Sequence, residues 1–270
     1  MSTETAGARL SEAFSSRDPA SLPGLIPYIT AGFPHLDDTV ALLSAAERAG
    51  CLAAEVGLPF SDPLADGPTI QRTSQRALDN GMSVNLALEQ VAQARAAGVA
   101  LPLALMTYAN PVLSYGQERF TRDAASAGAD ALIVPDLPLE EAGQLRGAAD
   151  SAGLALILLV APTTPDARLA TACAHASGFV YCVSRTGTTG ARTEIAEEAI
   201  DLLTRVRRAT DLPRALGFGL SRHEHLLALH GHAEGAVVGS ALLNAVGATA
   251  DDPAGAAERF LRGMLGGGAA

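Results

Sequence analysis

Two parts of the chain place polar groups where chemistry would need them. The first is Glu55, inside the apolar run Leu52-Ala-Ala-Glu-Val-Gly-Leu-Pro-Phe60. A carboxylate in such a run is partly desolvated, and keeping it ionised and unpaired is costly. It is then neutral for part of the time, or paired, and either condition suits a general acid/base. A structural salt bridge is the other reading of the same residue. The loop that follows, Ser61-Asp-Pro-Leu-Ala-Asp-Gly-Pro68, adds Asp62 and Asp66 and is stiffened by Pro63 and Pro68. By residue type alone these aspartates also suit plain turns.

The second part is rich in glycine: Ser184-Arg-Thr-Gly-Thr-Thr-Gly190, Gly217-Phe-Gly219 and Gly239-Ser240. Glycine lets backbone N–H groups approach an anion, and helix N-termini add positive potential. The formal net charge is -10, so a phosphate would be held by local N–H groups rather than by a basic field. Three ordinary turns are the alternative. Other chemistries find no support. There is no HExxH, GxSxG or GxxxxGK[ST] pattern. His223, His225, His230 and His232 crowd one segment, but 223 and 225 do not share a helical face. A solvated helix and loop is expected there, and no metal site. All 19 basic residues are Arg, so a lysine Schiff base is excluded. Bond breaking is left to acid/base catalysis.

Eight short apolar runs supply strands that could carry these residues. They are Leu25–Thr30, Leu52–Gly57, Pro102–Thr107, Ala131–Asp136, Ala155–Val160, Phe179–Ser184, Arg214–Gly219 and Gly235–Ser240. None alternates cleanly with polar residues, as expected of strands buried on both faces. Helical patterns lie between them: Val40 and Leu43 behind Asp37, Val84 to Val91 behind Ser83, Leu139 to Leu145 with Pro138 near the first turn, and Ile200 to Val206. Ser221 and Glu224 have capping-box spacing. Gly50, Gly98, Gly128, Gly153, Gly178 and Gly235 stand at or before the next strand, where a helix ends and the chain turns. An extra segment is expected after the second strand.

Eight strands alternating with helices predict one α/β domain over 1–270, a (β/α)8 TIM barrel. An open doubly wound sheet is the alternative. An extra N-terminal helix over Ala8–Ser16 would cover the barrel bottom. In a barrel the site lies at the C-terminal strand ends, where Glu55 and the glycine-rich segments both fall. The acidic balance argues against nucleic acid and anionic membrane. Cys51, Cys173 and Cys182 are odd in number, without CxxC spacing, and Met1–Ala6 carries no basic-then-apolar pattern. Reduced thiols, no secretory signal and a cytoplasmic location are expected.

The segment Glu55-Val-Gly-Leu-Pro-Phe-Ser-Asp-Pro-Leu-Ala-Asp-Gly-Pro-Thr-Ile-Gln71 resembles the signature of the tryptophan synthase alpha chain family. Pro27-Tyr-Ile-Thr-Ala-Gly32, Met106-Thr-Tyr-Ala-Asn-Pro111, Pro135-Asp-Leu-Pro-Leu-Glu-Glu141 and the three glycine segments resemble it too, in the family's order over nearly the whole chain. The resemblance implies retro-aldol cleavage of indole-3-glycerol phosphate to indole and glyceraldehyde 3-phosphate, with no cofactor in this chain. It implies that Glu55 protonates indole C3 and takes the proton of the adjacent glycerol hydroxyl. Asp66 would accept the indole N–H and stabilise the cationic indolenine, and Tyr181 would pack near the glycerol chain. Gly190, Gly219, Gly239 and Ser240 would hold the phosphate, under a lid from Ser184 whose Thr189 meets Asp66. The implied partner is a beta chain carrying pyridoxal phosphate, in an alpha2beta2 complex, touched by Pro59, Asp62, Asn110, Asp136 and Pro138. Thr188 and Phe33 depart from residues common in the family. A free-standing lyase that releases indole, and a non-catalytic activator of the beta chain, are the alternatives. The retained Glu55 and Asp66 speak against the second.

Overall fold

The computed structural model describes residues 6–183, 195–217, 219–249 and 251–267. Eight parallel strands close into a barrel in chain order. They are β1 Gly24–Thr30, β2 Ala54–Gly57, β3 Leu103–Met106, β4 Ala131–Ile133, β5 Ala155–Val160, β6 Val180–Val183, β7 Arg214–Gly217 and β8 Gly235–Val238. Helix α1 (Ala6–Ser15) precedes β1, and α2 (Thr39–Ala49) follows it. Two helices, α3 (Pro68–Asp79) and α4 (Val84–Ala96), follow β2, so the extra segment lies where it is expected. After β3 come α5 (Ala109–Tyr115) and α6 (Gln117–Ala127). Then α7 (Gly143–Ala152), α8 (Asp166–His175), α9 (Glu197–Ala209) and α10 (His223–Leu229) follow β4 to β7 in turn. The chain closes with α11 (Ser240–Gly247) and α12 (Pro253–Met264). Pairing of β8 with β1, Gly24 against Gly235, makes this a (β/α)8 TIM barrel with an N-terminal helix and removes the open-sheet alternative.

The strands lack alternation because both faces are apolar. Ile26, Tyr28, Ala104, Met106, Ile133, Ile157, Phe179, Tyr181 and Val237 fill the interior. Their neighbours Leu25, Val56, Leu105, Leu132, Leu156, Val180, Leu216 and Val238 pack under the helices. Parity in a strand has period two, so Glu55, next to outward Val56, shares the inward face.

The bottom is closed by α1. Leu10 and Phe14 join the interior cluster. The Phe14 and Phe179 rings lie 5.6 Å apart, and Phe179 and Tyr181 6.2 Å apart, giving an aromatic column that rises from the floor toward the site. Asp130, just before β4, anchors this end. Its Oδ1 accepts from Arg9 Nε at 2.8 Å, and its Oδ2 accepts from Arg95 Nη2 and the Leu103 N–H, each at 2.8 Å.

Several local expectations need correction. The residue before α2 is Asp38, and its carboxylate receives the His35 N–H at 3.1 Å instead of capping the helix. Ser83 does cap α4, accepting from the Leu86 N–H at 3.3 Å. The segment after Pro138 forms turns closed by Glu141 N–H to Pro138 O at 2.9 Å, so α7 starts later, at Gly143. Ser221 makes no capping box. Its N–H donates to His225 Nδ1 at 3.1 Å, so the imidazole takes that donor and is buried rather than solvated. Gly235 starts β8, as its placement at the strand implies, and the other five glycines of its set turn the chain with positive φ. No helix among the described residues is long and apolar enough to cross a membrane.

Candidate active site

Glu55 sits at the centre of β2, with its side chain inside the barrel and no exposure to solvent. Neither carboxyl oxygen has a hydrogen-bond partner among the described residues. No described residue forms a salt bridge with it. Burial is the larger cause pushing its pKa from 4.5 up to about 8, and the charge of Asp66 adds to it. The group is thus a carboxylic acid at neutral pH, able to give a proton and take one back.

Tyr28 stands beside Glu55 in the β1–β2 register. Tyr181 enters from β6 on the far side of the same interior. Both phenols are buried, and burial raises their pKa well above the usual value. Two glycines make room for them. A Cβ on Gly57 would stand 2.0 Å from the Tyr28 hydroxyl, and one on Gly217 would stand 2.3 Å from that of Tyr181. The strand ends are therefore bare because tyrosine hydroxyls occupy the space of their side chains.

Asp66 lies in the loop between β2 and α3. That loop is folded on itself: the Leu64 N–H donates to Asp62 O at 2.9 Å and the Asp66 N–H to Pro63 O at 3.0 Å. Gln71 Nε2 donates to Asp66 O at 2.8 Å. The Tyr108 hydroxyl, just beyond β3, donates to Asp66 Oδ2 at 2.9 Å. Burial raises the Asp66 pKa, and this hydrogen bond draws it down. The charge of a hydrogen-bonded Asp66 thus acts on a proton-bearing Glu55 within one site, an arrangement that divides acid and anion between two carboxylates.

The other anticipated residues fall into two sectors of the rim. Pro59, Asp62, Asn110, Asp136 and Pro138 follow β2, β3 and β4, three neighbouring strands. Pro59 is half-buried and the other four are exposed. Asp136 Oδ1 accepts the Ala109 N–H at 2.8 Å, which ties the end of β4 to the start of α5. Gly219, Gly239 and Ser240 follow β7 and β8, on adjoining strands of another sector. Gly219 has φ +80°, a conformation that costs any side chain. Gly239 precedes α11 and Ser240 is its first residue, so the helix starts at the mouth. Thr189 and Gly190, the lid and one phosphate contact, lie outside the described residues, as does Thr188. Among the described residues no three His, Cys, Asp or Glu side chains are grouped to hold a metal ion.

Tyr28 and Tyr108 escaped the sequence reading. Parity held the signal for Tyr28, since it lies two residues from Ile26 on the inward face of β1. Tyr108 follows a strand run, but its reach across to the neighbouring loop is a tertiary fact.

A profile of the tryptophan synthase alpha chain family matches residues 14–264. The tryptophan synthase alpha chain of Chloroflexus aggregans is 50% identical over 236 residues, covering 87% of this chain and 88% of its own length. The tryptophan synthase of Saccharomyces cerevisiae is 44% identical over 264 residues, which cover 96% of this chain and 37% of the yeast protein. A structure of the tryptophan synthase a2b2 complex from Pyrococcus furiosus superposes with a TM-score of 0.86 at 40% identity, covering 91% of this chain and 100% of that one. One of tryptophan synthase from M. tuberculosis, in an aminoacrylate-bound form, gives 0.85 at 34% identity, over 96% and 98% of the two chains. With the acid–anion pair at the mouth of a matching barrel, these likenesses settle kinship: the chain belongs to the tryptophan synthase alpha chain family.

Proposed function

We propose that residues 1–270 act as one barrel domain that cleaves indole-3-glycerol phosphate to indole and glyceraldehyde 3-phosphate in tryptophan biosynthesis. The observation that carries this reading is Glu55, fully buried on β2 with no hydrogen-bond partner among the described residues, where burial pushes its pKa up to about 8. Its proton goes to indole C3, and the ring becomes a cationic indolenine. The Asp66 carboxylate accepts the indole N–H and stabilises that cation. The Glu55 carboxylate then takes the proton of the glycerol hydroxyl next to the bond. The C–C bond breaks as the aldehyde forms, and its electron pair returns to the ring. Glu55 ends as it began, so the step needs no group from outside. Tyr181 walls the glycerol side, and Thr189 closes a lid toward Asp66.

The phosphate is held by N–H groups at Gly190, Gly219, Gly239 and Ser240. Gly219→Val should raise KM roughly tenfold or more with a smaller change in kcat, because it removes binding common to ground and transition states. Inorganic phosphate should compete at millimolar levels. Steady-state indole release reads both, and an unchanged KM with no competition would remove the phosphate site.

The partner is a beta chain, which holds the pyridoxal phosphate, in an alpha2beta2 complex like that of P. furiosus. Pro59, Asp62, Asn110, Asp136 and Pro138 face it. The free thiols of Cys51, Cys173 and Cys182 support work in the reducing cytoplasm. Docking on the Pro59–Pro68 loop would order the segment that carries Asp66, and so shift its population toward the reactive arrangement. Indole release by the chain alone should be slow, and the beta chain should raise it by roughly an order of magnitude or more. Asp62→Ala should reduce that stimulation more than the basal rate. A fast lone chain indifferent to the beta chain would favour the free-standing lyase.

A further inference from the structure

Tyr108 is the post to which the catalytic loop is tied. Its hydroxyl donates to Asp66 Oδ2 at 2.9 Å and accepts the Ala65 N–H at 3.0 Å. Its ring packs against Phe60, with centroids 5.5 Å apart. Three residues of one loop thus close on one side chain from the neighbouring strand. The backbone just beyond Tyr108 is held in turn, because the Ala109 N–H donates to Asp136 Oδ1. We infer that Tyr108 is a positioning residue that decides which carboxylate holds the proton: its hydrogen bond keeps Asp66 the anion and thereby leaves the proton on Glu55. The inference rests on the lyase reading above.

The physical case is one of unequal partners. Two carboxylates that act on one another in a dry site do not both ionise easily, and the one with a donor ionises first. Asp66 has that donor, whereas neither oxygen of Glu55 has a partner among the described residues. The other titratable groups that feel the pair are neutral phenols, Tyr28 from β1 and Tyr181 from β6, whose protons both carboxylates help to hold. Asp136 acts on Tyr108 from the end of β4 and disfavours loss of its proton. No cation is among the described groups that shift Glu55 or Asp66. The order of ionisation therefore hangs on the Tyr108 hydroxyl.

Tyr108→Phe in the full chain tests this. Carbon-13 titration of the Glu55 and Asp66 carboxyls reads the protons without any need for turnover. The Asp66 transition should move up and the Glu55 transition down, each by about one pH unit. The pH profile of indole release should narrow from both limbs, and kcat at neutral pH should fall about tenfold with KM little changed. Placing 3-fluorotyrosine at 108 keeps the shape and strengthens the donor, so both transitions should move the opposite way even if the phenylalanine variant folds poorly. Carboxyl titrations unmoved in either protein would overturn the inference. Full turnover in Glu55→Gln would instead sink the lyase reading, whatever Tyr108 does.

Discussion

Glu55→Gln should nearly abolish indole release and, at alkaline pH, make the folded chain more stable. General acid–base catalysis contributes about 10²–10⁴ in rate, and an amide of the same shape supplies none of it. The stability effect follows from linkage. The Glu55 pKa rises from 4.5 to about 8 on folding. Its contribution to stability is fully present below 4.5 and is lost as pH rises through 8, because ionisation in the folded interior is opposed by burial and by Asp66. At about 1.4 kcal/mol per unit, that loss is roughly 3–5 kcal/mol between acid and alkaline conditions. Glutamine does not titrate. The stability of the variant relative to the unsubstituted chain should therefore climb over that window. Urea unfolding at several pH values reads it. A stability difference independent of pH would mean that Glu55 is not held as an acid, and near-normal turnover would remove it from the chemistry.

Asp130→Ala should be the most damaging change away from the site. Its side chain is fully buried and satisfies Arg9, Arg95 and the Leu103 N–H together. Removing the acceptor leaves two guanidinium groups short of a partner and a backbone donor unpaired. Breaking a buried ion pair this way costs about 3–5 kcal/mol, a large part of the roughly 5–15 kcal/mol that holds a domain together. Tm should fall by roughly 10 °C on the usual scaling for a chain of this size. Turnover well below the transition should stay near normal, since Asp130 anchors the end of the barrel away from Glu55. A loss below about 1 kcal/mol would show that the network is screened like a surface pair.

The barrel was legible because its strands are apolar on both faces and its helices end on glycines. Glu55 stood out because one carboxylate interrupts a run otherwise apolar from Leu52 to Phe60. Strand ends were less legible. β4 stops at Ile133 and β8 at Val238, and apolar composition alone cannot mark where a ladder ends before a turn such as that at Pro135–Asp136. The capping box at Ser221 was misread because an imidazole four residues on competes for the same donor. Tyr108 was invisible as a loop anchor, since its contact with Asp66 spans 42 positions of sequence.

The two sectors of the rim give the mouth a direction. Among the described residues, proposed phosphate contacts follow β7 and β8 and proposed docking residues follow β2, β3 and β4, with Glu55 on β2 itself and Asp66 in the loop after it. On the proposed contacts, a substrate laid across this mouth would be moored at its charged end and would point its ring the other way. Once the bond is cut, the two halves have unequal holds. With these proposed contacts the aldehyde would stay tethered through its phosphate, while the apolar fragment would keep only its N–H to Asp66 and would lie nearest the docked neighbour. On that proposal cleavage would also be sorting: the rim would retain one product and hand the other on, and the order of departure would follow from which strands carry glycine.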